Sequence, residues 1–338
     1  MVRWIRSRAP VRISFAGGGT DVPPYPQEHG GCVLSATINK YSFTSLKVTD
    51  SSIIKLGAAN SKELLLKSVE DAVLDGHFDL AKSVLLEMKP EKGLELFFRN
   101  DVKPRSGLGS SGAGFVSLLG AYSQAFEQHF SRHEIANLAL ELERTRLNIK
   151  GGKQDQFASA YGGINFIEFN DETVFVRPME LTKNCKNELE KQLVLVYTRD
   201  RKNNGTDIIE DQTRGFMEKE KNVLQAFHSS KQIALKMREC LKKENLEEFG
   251  KLLHKGWIEK KKYSPLISDS FIDGLYETAQ SAGAVGGKLT GAGGGGYMLF
   301  YCHPDREIKV REALEKKGAV WVPFSFEFEG LQTWEVNV

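Results

Sequence analysis

The alternation of apolar and polar positions sets out a chain of mixed strands and helices. Val11, Ile13 and Phe15 alternate with Arg12 and Ser14, which predicts a half-buried strand with Arg12 on the face opposite the apolar residues. That strand runs into Gly17-Gly18-Gly19-Thr20-Asp21 and Pro23-Pro24, a tight turn. Residues 32–48 and 94–102 are rich in β-branched and aromatic side chains and read as strands. After Gly107–Ser111, the residues Ala113, Val116, Leu119, Ala121 and Phe126 return at roughly helical spacing. Ser131 and Glu134 form a capping-box signature. The helix it opens carries Ile135, Leu138, Ala139 and Leu142 on one face and ends before Gly151-Gly152. Strands are expected at 163–169, 173–176 and 191–197. Helices are expected at about 207–243, 246–262 and 268–282, then a glycine run and a strand at 297–301. This irregular alternation suits two α+β domains better than a repeating βαβ sheet. We divide the chain into domains 1–185 and 186–338.

Composition narrows the class of protein. At 338 residues, 41% hydrophobic and 27% charged, the chain is long enough for two domains with large cores. A net charge of +2 gives no reason to expect nucleic acid or membrane as a partner. The four cysteines are far apart and form no CxxC pair, which speaks against a zinc site. The N-terminus lacks the apolar core of a secretory signal, so a cytoplasmic location is expected. Homodimer formation is left open.

Candidate chemistry sits in glycine-rich loops. In Pro104-Arg105-Ser106-Gly107-Leu108-Gly109-Ser110-Ser111-Gly112, glycines let backbone N–H groups approach a ligand, and a helix start follows directly. That combination binds phosphate. Gly107-x-Gly109-x-x-Gly112 also matches a dinucleotide fingerprint, but no βαβ unit with a ribose-binding acid accompanies it. In Gly17–Asp21, Asp21 could take sugar hydroxyls or close an Asx-turn. The run Gly291-Ala292-Gly293-Gly294-Gly295-Gly296 permits close backbone approach, either to ligand or to another loop.

Together these segments resemble the GHMP kinase superfamily. Pro10-Val11-Arg12 through Asp21 is similar to its first motif, Pro104 with Gly107–Ser111 to its second, and Lys288–Gly295 to its third. Within the superfamily the likeness is to D-glycero-D-manno-heptose 7-phosphate kinases. It rests on residues 9–21, on Gly152-Lys153-Gln154-Asp155-Gln156, on 256–262 and on 283–296. The resemblance implies an S5-domain-2-like α/β domain followed by a ferredoxin-like α+β domain. It implies Asp155 as catalytic base with Arg12 as its partner, and Gly107, Leu108, Gly109, Ser110, Ser111 and Gly112 around the ATP phosphates. Ser111 and Glu143 would hold Mg²⁺, and Gly18, Gly19, Thr20, Asp21, Lys153 and Arg201 would meet the substrate. Gly291, Gly293, Gly294 and Gly295 would form a structural loop.

The implied reaction moves the γ-phosphoryl group of ATP to the C1 hydroxyl of the heptose 7-phosphate. The 1,7-bisphosphate would feed nucleotide-activated heptose for capsule or lipopolysaccharide. Alternatives are a kinase of an unphosphorylated fucose- or galactose-type sugar and a non-catalytic sugar-binding homologue. Arg105, Arg199 and Lys202 are further candidates for a substrate phosphate, and Lys260-Lys261-Lys262 is expected to be a solvated helix face. Residues 198–205 depart from the family pattern, which leaves the substrate contacts of that loop open.

Overall fold

The computed structural model describes residues 3–59, 61–170, 173–202 and 205–337. Its first part contains strands β1 (Arg3–Ala16), β2 (Gly31–Val48), β3 (Ile54–Ala58), β4 (Leu64–Leu66), β5 (Leu94–Asn100), β6 (Ile164–Phe169) and β7 (Val174–Pro178). Its helices there are α1 (Tyr25–His29), α2 (Asp79–Met88), α3 (Ser110–Ala125), α4 (Arg132–Glu141), α5 (Gln154–Tyr161) and α6 (Lys183–Lys191). The second part adds β8 (Leu193–Arg199), α7 (Gly205–Met217), α8 (Lys221–Lys242), α9 (Leu246–Lys261), α10 (Ser270–Ala282), β9 (Ala284–Leu289), β10 (Gly296–Cys302), α11 (Glu307–Glu315), β11 (Val320–Trp321) and β12 (Gln332–Asn337).

The first sheet runs β12-β1-β2-β5-β3-β4, and β6 and β7 extend it from β2. The long β2 pairs antiparallel with β6 over residues 31–36 and with β5 over residues 42–48. The second sheet, β11-β8-β10-β9, is antiparallel throughout. The fold is the two-domain α+β arrangement expected, though β12 crosses back to pair with β1. The split at 185/186 stays a proposal, and the last strand belongs with the first sheet.

Apolar patterning explains the layers. α3 is hydrophobic nearly all round and buries Phe115, Val116, Leu118 and Leu119 against β1 and β2. Helices α8 and α9 of the second part pack back onto β1 and β2, where Phe15 meets Phe249 edge-on at 5.2 Å. One core therefore spans both parts, and a second lies around Trp257, Tyr263 and Ile267.

Several expectations need correction. β1 is not half-buried, because residues 9–16 are covered on both faces and Arg12 is 3% exposed. The helix expected over 207–243 is broken at 218–220, where Lys219 adopts φ +55°. The break folds Phe216 onto Phe227 at 5.6 Å, a contact unavailable to a straight helix. Lys191 ends α6 rather than opening a strand. The capping box at Ser131 and Glu134 is present, with N–H to side-chain distances of 3.2 and 2.7 Å.

Candidate active site

The two parts meet around a cavity of about 1080 Å³. Its walls bring together three segments far apart in sequence: Gly18–Asp21, Gly107–Ser111 and Gly151–Asp155.

Asp155 lies in the first turn of α5, where its side chain turns inward to Arg12 instead of capping the helix. Arg12 Nε donates to Asp155 Oδ1 at 2.8 Å, and Nη2 lies 2.6 Å from the same oxygen. The remaining guanidinium nitrogen, Nη1, donates to the Gly107 carbonyl at 2.6 Å. One arginine thus ties the carboxylate to the glycine loop. Two of the loop's glycines are needed for that approach. A Cβ on Gly109 would lie 3.0 Å from Asp155 Cγ, and one on Gly112 would lie 2.8 Å from Asp155 Cβ. Gly107 and Gly109 also adopt φ of +97° and +74°, which glycine tolerates without strain. α3 begins immediately afterwards, so its unpaired N–H groups face the cavity end of the loop.

Glu143 and Ser111 line the same cavity. Glu143 sits on a π-helical turn, Leu142–Arg146, with 5% exposure. Its Oε2 accepts from Arg144 at 2.8 Å and from Gln156 at 2.5 Å. Ser111 Oγ is buried and, among the described residues, has no hydrogen-bond partner. A buried hydroxyl left unsatisfied and a carboxylate are hard oxygen donors, which suits a divalent cation such as Mg²⁺. Among the described residues no group of three or more His, Cys, Asp or Glu could hold a metal. A cation here would therefore need ligand oxygens, such as phosphate, to complete its shell.

Asp21 is fully buried at the cavity's edge. Its Oδ1 accepts from Gly19 N–H at 3.0 Å, and its Oδ2 accepts from the side chain and main chain of Gln154 at 3.0 and 3.2 Å. Burial and the neighbouring Asp155 push its pKa up, against the pull of those hydrogen bonds. Gly152 must lack a side chain, because a Cβ there would fall 1.9 Å from Asp21 Oδ2. Thr20 lies outside the cavity lining. Its hydroxyl donates to Gly17 and Cys32 carbonyls and accepts from Cys32 N–H, which ties the turn to β2. Lys153 is likewise not part of the lining, and its main-chain N–H donates to the Asp21 carbonyl at 3.2 Å.

The basic residues separate into engaged and available groups. Arg199 and Lys202 both pair with Asp269, the N-cap of α10, which takes them up away from the cavity. Arg105 and Arg201 line it. Among the described residues Arg201 Nε and Nη2 are buried without partners, and burial together with Arg12 pulls this guanidinium down to about 10. Asn203 and Asn204 of the same loop lie outside the described residues. The third glycine run packs on the other loops. A Cβ on Gly291 would lie 2.6 Å from Gly107 Cα, one on Gly293 3.0 Å from Ile267, and one on Gly294 2.9 Å from Ile208. Gly295 faces the Arg199 carbonyl in the same way, at 3.2 Å.

Lys260 overturns the expectation of a solvated lysine face. It is 6% exposed and donates to the Leu289 and Gly291 carbonyls. The signal was present in the stripe Phe249, Leu253, Trp257 and Lys260, which shares one side of α9. Arg144 was also missed. It staples 149–152 ahead of α5 through the Ile149 and Gly152 carbonyls at 2.7 and 2.6 Å.

A glycine loop at a helix start, a carboxylate held beside it and paired hard-oxygen donors are the parts that phosphoryl transfer uses. Residues 77–163 match the family described as GHMP kinases N terminal domain, and 237–320 match GHMP kinases C terminal. The D-glycero-alpha-D-manno-heptose 7-phosphate kinase of Campylobacter jejuni is 35% identical over 99% of this chain and its own full length. A crystal structure described as a D-glycero-D-manno-heptose 1-phosphate kinase from Bacteroides thetaiotaomicron superposes with TM-score 0.80 at 30% identity, covering 99% of this chain and 100% of that one. A bifunctional fucokinase/GDP-fucose pyrophosphorylase of Arabidopsis thaliana is 27% identical over 91% of this chain and 31% of that protein. The chain belongs to the GHMP kinases and is a phosphotransferase with an alcohol group as acceptor. Its likeness to the heptose phosphate kinases makes it a sugar kinase of that type, which argues against a non-catalytic homologue. Among the described residues no helix is long and apolar enough to cross a membrane.

Proposed function

We propose that this kinase transfers the γ-phosphoryl group of ATP to the C1 hydroxyl of D-glycero-D-manno-heptose 7-phosphate. The product would be the 1,7-bisphosphate, a precursor of nucleotide-activated heptose for surface polysaccharide. One observation carries the chemistry: Asp155 is ion-paired with Arg12, which also grips the Gly107 carbonyl. A base, a cation and the phosphate loop are thus joined in one rigid unit, which suits a reaction that depends on positioning and charge stabilisation. The choice of acceptor rests on kinship with the Campylobacter jejuni enzyme.

In this reading Asp155 takes the proton of the attacking hydroxyl. Arg12 orients that carboxylate and offsets negative charge on the group in transfer. The N–H groups at the start of α3 hold phosphate oxygens. Mg²⁺, held by Ser111 and Glu143, would neutralise phosphate charge when bound. Gly18, Gly19 and Asp21 border the acceptor.

The test is a ³¹P NMR time course with MgATP and, in separate tubes, heptose 7-phosphate, the free heptose, fucose and galactose. A new anomeric phosphate resonance from the 7-phosphate alone is the expected result. Turnover confined to the free sugars would refute the acceptor assignment. A second reading, in which the acceptor is already phosphorylated at C1, draws on the name of the Bacteroides relative. It predicts consumption of heptose 1-phosphate instead.

A further inference from the structure

Lys288 is a buried cation that the chemistry above does not use. It lies on β9, 4% exposed, yet lines the cavity and adjoins Gly18 in a small void behind it. Among the described residues no ion pair or hydrogen bond engages its ammonium. Neighbouring groups are already committed. Arg12 is held by Asp155 and Gly107, Lys260 by two carbonyls, and the Asp21 carboxylate by Gly19 and Gln154. Ser14 Oγ, also in the lining, is buried without a partner and faces Gly18, 3.6 Å from where a Cβ on that glycine would sit. An unpaired ammonium and an unpaired hydroxyl therefore flank the same turn.

Burying an ammonium without a partner is expensive, and a bound anion relieves it. Arg12, Arg201, Lys260 and Lys288 all line the cavity, and the carboxylates that oppose their charge are Asp21 and Asp155. We propose that Lys288, with Ser14, holds the phosphate that the acceptor already carries. This rests on the acceptor being a phosphosugar. It makes Lys288 a specificity-determining residue that separates phosphorylated from free sugar.

The surroundings give the assignment a pH signature. Burial first, then Arg12, lowers the Lys288 ammonium to about 7, with Asp21 opposing. The charged groups facing it are Arg12 on β1, Asp21 on the following turn and Lys260 on α9. Free Lys288 loses its proton as pH rises through about 7, while a phosphate monoester is already fully ionised above its second pKa of about 6. Acceptor affinity should fall above neutrality.

Titration calorimetry of heptose 7-phosphate and of unphosphorylated heptose, between pH 6 and 9, tests this on wild type, Lys288→Met and Lys288→Arg. The 7-phosphate should bind roughly 10- to 100-fold more weakly to Lys288→Met. Binding of the free sugar and of ATP should stay within about twofold. Lys288→Arg should retain affinity and lose the decline above pH 7, since a guanidinium stays charged. Equal losses for both acceptors, or none, would overturn the proposal. Should Lys288→Met not fold, an unchanged decline in Lys288→Arg would overturn it too. Wild type that binds and turns over only the unphosphorylated heptose would instead refute the phosphosugar reading beneath it.

Discussion

Substituting Gly112 by Ala sets helix propensity against site geometry. The residue lies within the first turn of α3. By propensity alone Ala should stabilise that helix by about 1 kcal/mol. The added Cβ would lie 2.8 Å from Asp155 Cβ, and 3.2 Å from the Asp155 carbonyl carbon and Gln156 N. Backbone and the first side-chain carbon must therefore give way, and no flexible tip can absorb the clash. Overpacking of this kind costs about 1–3 kcal/mol. Set against the propensity gain, the net loss of stability is about 0–2 kcal/mol. The melting temperature should accordingly move only by several degrees. Activity should suffer more. Pushing α5 outward by a few tenths of an ångström moves Asp155 relative to Arg12 and the phosphate loop, and misplacement by about 1 Å costs about 10²-fold. We expect kcat to fall at least about tenfold while the fold survives. Coupled ADP release and scanning fluorimetry measure the two quantities. A Gly112→Ala enzyme with wild-type kcat would show that Asp155 need not sit where α3 holds it.

Two further predictions concern the proposed metal ligands and the α10 cap. Glu143→Gln and Ser111→Ala should each raise the Mg²⁺ concentration needed for half-maximal rate, by roughly tenfold as hard-oxygen ligands are lost. An unchanged Mg²⁺ titration would remove both residues from that role. At neutral pH Asp269→Ala should cost about 1–2 kcal/mol by removing the α10 cap and the partner of Arg199 and Lys202. Burial alone would raise the Asp269 pKa, but bonds from Arg199, the Ile272 N–H and Lys202 hold it well below the usual carboxylate range overall. A depressed carboxyl stabilises above its unfolded value and loses that contribution as pH falls through the folded one. The difference in melting temperature between variant and wild type should therefore shrink below about pH 4. A difference that grows in acid would contradict this sign.

The legible parts of the chain were those with a local signature. The strand around Arg12, the capping box at Ser131 and the glycine turns each depend on residues near in sequence, and each formed as local chemistry dictates, although the burial of Arg12 is not local. What stayed hidden depends on distant partners. β9 reads Ala284-Val-Gly-Gly-Lys-Leu and shows no alternation, because both its faces are covered. Gly286 lets α9 approach, since a Cβ there would meet the Gly250 carbonyl at 2.3 Å. α5 carries no local start signal, because Gly151-Gly152 precede it and Lys153 at its N-cap makes no side-chain cap. Those glycines serve tertiary contacts with Arg144 and Asp21. Arg12 was read on an open face because no local pattern announces a carboxylate 143 residues away. Which cations are free to meet a ligand was equally invisible. Arg199 and Lys202 are engaged by Asp269, while Lys288 has no partner among the described residues.

Asp155 is the proposed base of a phosphoryl transfer to a sugar phosphate. Asp155→Asn tests it most directly, because the amide keeps the size of the side chain and an oxygen that can accept from Arg12. With MgATP and heptose 7-phosphate at saturation, kcat should fall by about 10²- to 10⁴-fold while ATP binding persists. A kcat within a few-fold of wild type would contradict the account.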